Sequence, residues 1–130
     1  MIIETSALVA ILRTEPEAEA FVRIIERAAT RRVSAGSYLE TAIVLDAAHD
    51  PIVSRRFDEF IAEASIIVEP VTAEQAEIGR AAYRDFGKRS GHLAQLNFGD
   101  CFSYALAKVT GEPLLSKGDD FGHTDVRPAV

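Results

Sequence analysis

The sequence predicts an α/β fold, a three-layer α/β/α sandwich built on a mainly parallel sheet. Three observations carry that prediction. Short apolar or β-branched runs ("MIIE", "RRVSA", "SIIVEPV", "PLLS") alternate along the whole chain with longer segments of helical period. The 130 residues suffice for one substantial core. A content of 48% hydrophobic and 26% charged residues is the balance of an ordered globule. Residues 1–130 are therefore expected to form a single domain, with no repeat, linker or low-complexity tract dividing them.

The first run, "MIIE", reads as a short buried strand leading directly into a helix at "TSALVAIL", with Thr5 or Ser6 as its cap. "EPEAEAFVRIIERAAT" is amphipathic: Phe21, Ile24, Ile25 and Ala28 share one side, and its first turn is rich in acids. "RRVSA" supplies the second strand. "GSYLETAIVLDAAHD" follows as a strongly apolar helix, with Ser37 as candidate cap and Glu40 in its first turn or two. Pro51 opens "PIVSRRFDEFIAEA" at the position where a missing N–H does no harm. "SIIVEPV", β-branched and bounded by Pro70, is the third strand. "TAEQAEIGRAAYRDFGKR" begins with the capping-box pair Thr72 and Gln75 and ends in basic residues. "SGHLAQLNFG" reads as a loop, and "DCFSYALAKVTG" as a helix begun by Asp100 and closed by Gly111. "PLLS" is a buried strand, "KGDDFGHT" a loop, and "DVRP" a last edge strand.

Charge and cysteine usage narrow the function. The net charge of −6 disfavours a binder that relies on phosphate contacts alone. It suits a domain that gathers carboxylates around a divalent cation or docks a basic partner. Arg80, Arg84, Lys88 and Arg89 recur at helical spacing, which fits either one basic stripe or a solvated helix face. The lone Cys101 allows no internal disulfide, in keeping with a reducing cytoplasm; in its apolar run it reads as a small buried hydrophobe. The N-terminal apolar stretch is too short to span a membrane and lacks the basic lead of a signal peptide, so a cytoplasmic protein with no membrane contact is expected. Cys101, His49, His92 and His123 are isolated, which argues against zinc. No nucleophilic Ser/His/Asp or Cys/His arrangement and no Gly-rich phosphate loop competes.

Most of the acids suit solvated helix faces, but Glu4, Glu40, Asp100 and the pair Asp119/Asp120 are harder to dismiss. Each has a plain alternative: a helix cap for Asp100, a turn residue for Asp120, an exposed position for Glu40. Ligands of a parallel α/β sheet sit beyond the carboxyl ends of its strands. Glu4 and Asp119/Asp120 fall at such ends, and Glu40 and Asp100 fall near helix starts that face the same edge. Carboxylates gathered that closely repel one another. Their convergence therefore makes sense as the seat of a hard cation, Mg²⁺ or Mn²⁺. A phosphoacceptor receiver-like domain also collects acids at a sheet edge, but it pairs them near an early strand end, and that pair is missing here.

Taken in order, "MIIETSALVAIL", "SYLETAIVL", "NFGDCFSYALAK" and "PLLSKGDDF" resemble the successive motifs of PIN-domain proteins of the VapC toxin type, over essentially the whole chain. The resemblance implies a Mg²⁺- or Mn²⁺-dependent endoribonuclease, the toxin of a type II toxin–antitoxin pair. Such a toxin is commonly a homodimer, neutralised by a small antitoxin that covers the site. By the same resemblance Glu4 and Asp100 are the metal ligands, and Glu40 and Asp120 complete the catalytic set. Asp120 is preferred to Asp119 because it precedes Phe121 in the "DF" pair of the motif. Ser6 matches a small hydroxyl residue that would hold a ligand or phosphate. The chain departs from the pattern at Glu4, where Asp is usual. The added methylene moves the carboxylate by roughly 1.5 Å, and misplacement of about 1 Å can cost on the order of 100-fold in rate. The alternative expectation is a catalytically weakened PIN-like module that binds RNA or a partner protein.

Overall fold

Neighbouring residues of a strand face opposite sides of the sheet, and the first two core residues show both sides at once. The computed structural model describes residues 1–130 and places Ile2 and Ile3 in strand β1 (Ile2–Ile3). Ile2 packs with Leu114, Leu96, Tyr104 and Leu106, whereas Ile3 packs with Leu115, Leu8, Ile25, Leu45 and Phe57. Two apolar clusters therefore lie on either face of one sheet, as a three-layer α/β/α sandwich requires.

The other strands are β2 (Arg32–Ser34), β3 (Ile67–Glu69) and β4 (Leu114–Leu115). Their order is β3-β2-β1-β4, and every pairing is parallel. Helices α1 (Thr5–Leu12), α2 (Ala18–Arg27), α3 (Ala35–Asp46) and α4 (Pro51–Glu63) supply the Ile3 cluster, while α5 (Ala73–Phe86) and α6 (Phe98–Thr110) supply the Ile2 cluster. In α2 the amphipathic reading holds, with Phe21 and Ile25 buried and Ile24 and Ala28 packed beside them. No helix is long and apolar enough to cross a membrane.

Helix starts differ from the sequence reading in an informative way. The cap of α1 is neither Thr5 nor Ser6 but Glu4, whose Oε2 accepts the Ser6 N–H at 2.7 Å. The cap of α3 is Ser34 rather than Ser37. Ser37 is instead fully buried and shares a 2.8 Å hydrogen bond with Ser103 of α6. Helix α6 starts two residues before Asp100, with Asn97 as cap and Asp100 as its reciprocal partner. Thr72 caps α5 as expected, but the Gln75 amide donates to the Pro70 carbonyl at 3.3 Å instead of closing the box. Helix α6 ends at Gly111 in the left-handed conformation, φ 70°, which glycine adopts without strain. Within "KGDDFGHT" one 3₁₀ turn, Asp120–His123, follows β4. "DVRP" contributes a single bridge, Leu114 to Pro128, in place of an edge strand.

Candidate active site

Beyond the carboxyl ends of β1 and β4 lies an open cavity of about 340 Å³, lined by Glu4, Glu40, Asp100 and Asp120 with Glu15, Lys117, Ser6 and Asn97 among its walls. All four acids singled out in the sequence meet there. Asp119 does not: it lines a separate depression beside Ser116 and Val126.

Local folding aims each carboxylate. Glu4 follows β1 directly and is 3% exposed. Its Oε2 is held by the Ser6 amide, and no hydrogen bond reaches its Oε1. Asp100 repeats the arrangement one helix away: its Oδ2 accepts the Asn97 N–H at 2.9 Å, and its Oδ1 is free. Each side chain thus uses one oxygen to fix its own direction and keeps the other available. Glu40 projects from α3 against the first turn of α6. A β-carbon at Gly99 would lie 2.6 Å from both Cδ and Oε1 of Glu40, and closer still to Oε2. Glycine at 99 is what makes room for that carboxylate.

Hydroxyl groups lock the three helix starts together underneath. Thr5 Oγ1 donates to the Ser37 carbonyl at 3.2 Å, Thr41 Oγ1 donates to the same carbonyl at 2.7 Å, and the Ser37–Ser103 bond ties α3 to α6. Ser6 lines the same cavity, and its Oγ accepts the Lys117 N–H at 2.8 Å and so fastens the chain after β4 to the start of α1. The Lys117 ammonium pairs with Glu15 and Glu17 at the cavity rim.

The acids are electrostatically uncompensated. Burial raises the Glu4 carboxyl to about 7, against the lowering effect of its Ser6 bonds and with Asp100 and Glu40 adding to the rise. Asp100 is likewise raised, mainly by burial, with Asp120 and Glu40 contributing and Lys88 opposing. An all-oxygen donor set with free lone pairs and excess negative charge is the chemistry that a hard divalent cation relieves. No three of these side chains converge tightly enough to enclose a cation by themselves.

Asn97, Gly99, Ser103, Glu15 and Lys117 were not singled out in the sequence as parts of this site. Asn97 had a local signal, a capping residue three positions before an acid; the others meet the site through long-range packing. Cys101 is half-buried rather than buried, and its thiol donates weakly to the Asn97 carbonyl at 3.4 Å. Burial pushes that thiol up to about 11, so it is no nucleophile.

The PIN domain family is matched over residues 1–127. VapC ribonuclease Mb0625 of Mycobacterium bovis and ribonuclease VapC28 of Mycobacterium tuberculosis are each 58% identical to the chain over 130 residues, covering 100% of it and 98% of theirs. Among solved structures, the fold is similar to that of Mycobacterium tuberculosis VapC20, described as a sarcin-ricin loop cleaving toxin, with a TM-score of 0.75 at 19% identity and 98% of each chain covered. It is also similar to a chain of a toxin–antitoxin complex from Klebsiella pneumoniae, with a TM-score of 0.68 at 16% identity, covering 92% of this chain and 88% of that one. Parallel sheet, acidic cavity and full-length identity agree: the chain belongs to the PIN-domain family, among the VapC ribonucleases.

Proposed function

We propose that residues 1–130 act as one PIN-like domain, a Mg²⁺- or Mn²⁺-dependent endoribonuclease and the toxin of a type II toxin–antitoxin pair, with Glu4, Glu40, Asp100 and Asp120 as its catalytic set. The observation that carries this reading is the matched pair of half-committed carboxylates, Glu4 and Asp100, at one cavity. Their free oxygens would hold the cation. When bound, a divalent ion supplies Lewis-acid polarisation of the phosphate and lowers the pKa of a water. Glu40 and Asp120, which accept no hydrogen bond within the chain, orient the attacking water and receive its proton. The free Glu4 oxygen favours an active site over the weakened module that binds RNA or a partner without turnover.

The partners follow from the same surface. The substrate is RNA, in keeping with the ribonuclease relatives. A cognate antitoxin would neutralise the uncompensated acids with an Arg or Lys, since a guanidinium pairs bidentately with carboxylate. A homodimer is supported by Leu39 and Ile43, one turn apart on α3 and 58% and 61% exposed. The unpaired Cys101 suits the cytoplasm.

Metal-dependent cleavage of a structured RNA pool is the test. Native protein should cut only with Mg²⁺ or Mn²⁺, and Asp100→Asn should lower the rate by about 100- to 1000-fold, as expected when an essential charge-stabilising group is lost. Native-like cleavage by Asp100→Asn would remove Asp100 from the ligand set.

A further inference from the structure

One cation lines the acidic cavity, Lys117, against the carboxylates of Glu4, Glu15, Glu40, Asp100 and Asp120. An ammonium free to turn in such a place settles where negative charge is densest, on the four acids of the proposed catalytic set. Lys117 does not. Its Nζ donates to Glu15 Oε1 at 2.5 Å and lies 3.4 Å from Glu17 Oε2, and it pairs with none of Glu4, Glu40, Asp100 or Asp120.

Distance along the backbone does not account for this choice. Ser6 joins the two places: its amide donates to Glu4 Oε2 at 2.7 Å, and its Oγ accepts the Lys117 N–H at 2.8 Å. The Lys117 backbone thus stands one residue's width from the Glu4 carboxylate. A lysine side chain extends about 6 Å from its Cα. Side-chain rotation, not movement of the chain, separates the rim from the acids.

Two features keep the ammonium at the rim. Glu17 Oε2 is shielded from solvent and accepts no hydrogen bond, so the ammonium beside it is what compensates its charge. Both glutamates come from the turn between α1 and α2, which bends at Thr14 with φ 53° and is fastened to α1 by the Glu15 N–H on the Ala10 carbonyl at 2.9 Å. The Lys117 side chain is 41% exposed. Ion pairs at such a surface contribute little to stability. Their consequence is the place at which the charge is kept.

We propose that Glu15 and Glu17 are positioning residues that hold Lys117 out of the metal seat, so that the free oxygens of Glu4 and Asp100 stay open to the cation. Released from the two glutamates, the ammonium pairs with the catalytic acids and competes with the metal for their oxygens. The proposal rests on the metal-dependent reading and adds why the cavity's own cation does not fill it.

A double-mutant cycle on Mn²⁺ affinity tests it, by calorimetric titration of the full-length protein with Mn²⁺ alone at pH 8. Glu15→Gln/Glu17→Gln should weaken Mn²⁺ binding by about tenfold. Lys117→Met should change the native affinity by less than about twofold, because its charge is already engaged, yet should recover most of the loss when added to the double variant. Melting temperatures identify any variant that fails to fold. If the double variant does, the cycle is run with Glu15→Gln alone, whose loss should be about threefold and again cancelled by Lys117→Met. Equal effects of Lys117→Met in both backgrounds overturn the proposal, since charges that act only through their summed field are additive. So does an unchanged affinity in folded Glu15→Gln/Glu17→Gln. In either case tight Mn²⁺ binding by the native chain leaves the metal-dependent reading standing. A native chain that binds no Mn²⁺ removes both.

Discussion

Two groups of carboxylates, at opposite sides of β1, have opposite fates. Around the strand's start, Arg32 donates from Nε to Glu112 at 2.7 Å and from Nη1 to Glu69 at 2.9 Å, and Glu112 also receives the Thr30 hydroxyl and the Met1 ammonium. Burial works to raise Glu112, but these partners outweigh it and hold the carboxyl below its usual range. Past the strand's end, Glu4 has Ser6 alone for a partner and two further acids for neighbours, and burial raises its carboxyl to about 7. The first group is finished as folded. The second keeps free oxygens and a raised carboxyl, which is what the proposed cation would relieve.

The contrast is sharpest in its pH dependence. Because the folded Glu4 pKa lies above the unfolded one, ionising Glu4 destabilises the fold, and stability should fall as pH rises from the ordinary carboxylate range through about 7. The full effect is roughly 3 kcal/mol. Glu112 has the opposite sign: its contribution is complete above the ordinary range and is lost as pH falls below it. Melting of metal-free protein between pH 5 and 8 should show a decline that Glu4→Gln flattens. Mg²⁺ should reverse the decline at pH 8, since only the ionised form binds metal. A flat native profile would break the comparison.

Gly99→Ala attacks the unfinished group without touching a charge. A methyl group there displaces the Glu40 carboxylate, and a shift of about 1 Å should cost on the order of 100-fold in cleavage rate. Helix propensity favours alanine over glycine by about 1 kcal/mol, so stability should change little. An unchanged rate would remove Glu40 from the reaction.

What the sequence made legible was the alternation of strands and helices and the edge at which the acids meet, because both follow from local pattern plus the geometry of parallel sheets. What it hid were contacts set by packing between distant segments. Ser37 looked like a cap because serine caps helices, but Ser34 lay three residues earlier and Ser103 waited on another helix. Asp119 and Asp120 are chemically alike, and only the "DF" pair of the motif favoured Asp120 in the sequence; the 3₁₀ turn separates them by direction, with Asp120 alone lining the acidic cavity. Glu4 was legible as an anomaly and illegible as a cap, since a carboxylate rarely has to do both jobs.

The finished group yields a smaller effect. Glu112→Gln leaves Arg32 with Glu69 alone and should cost about 1–2 kcal/mol, a charge-assisted hydrogen bond discounted for partial exposure. Its cleavage rate should match the native one at temperatures where both are folded. A rate loss beyond the change in folded fraction would mean that the two groups communicate.

Glu4→Asp makes the smallest change and asks whether reach or charge matters at the unfinished end. Aspartate is a good helix cap, so it should keep the bond to the Ser6 amide, and stability should stay within about 1 kcal/mol of native. The free oxygen retreats by the length of one methylene, toward the position the family usually uses. Part of any gain is offset, because the glutamate already aims its Oε1 from a fixed Oε2, so the rise in cleavage should be near tenfold rather than the 100-fold that free misplacement would suggest. Rates of the two forms on one RNA, at matched Mg²⁺ and against an Asp100→Asn background, decide it. A rise with an unchanged melting curve means that position 4 sets metal geometry. Equal rates mean that the cap alone fixes the useful oxygen, and that the chain has accommodated glutamate by building its first helix on it.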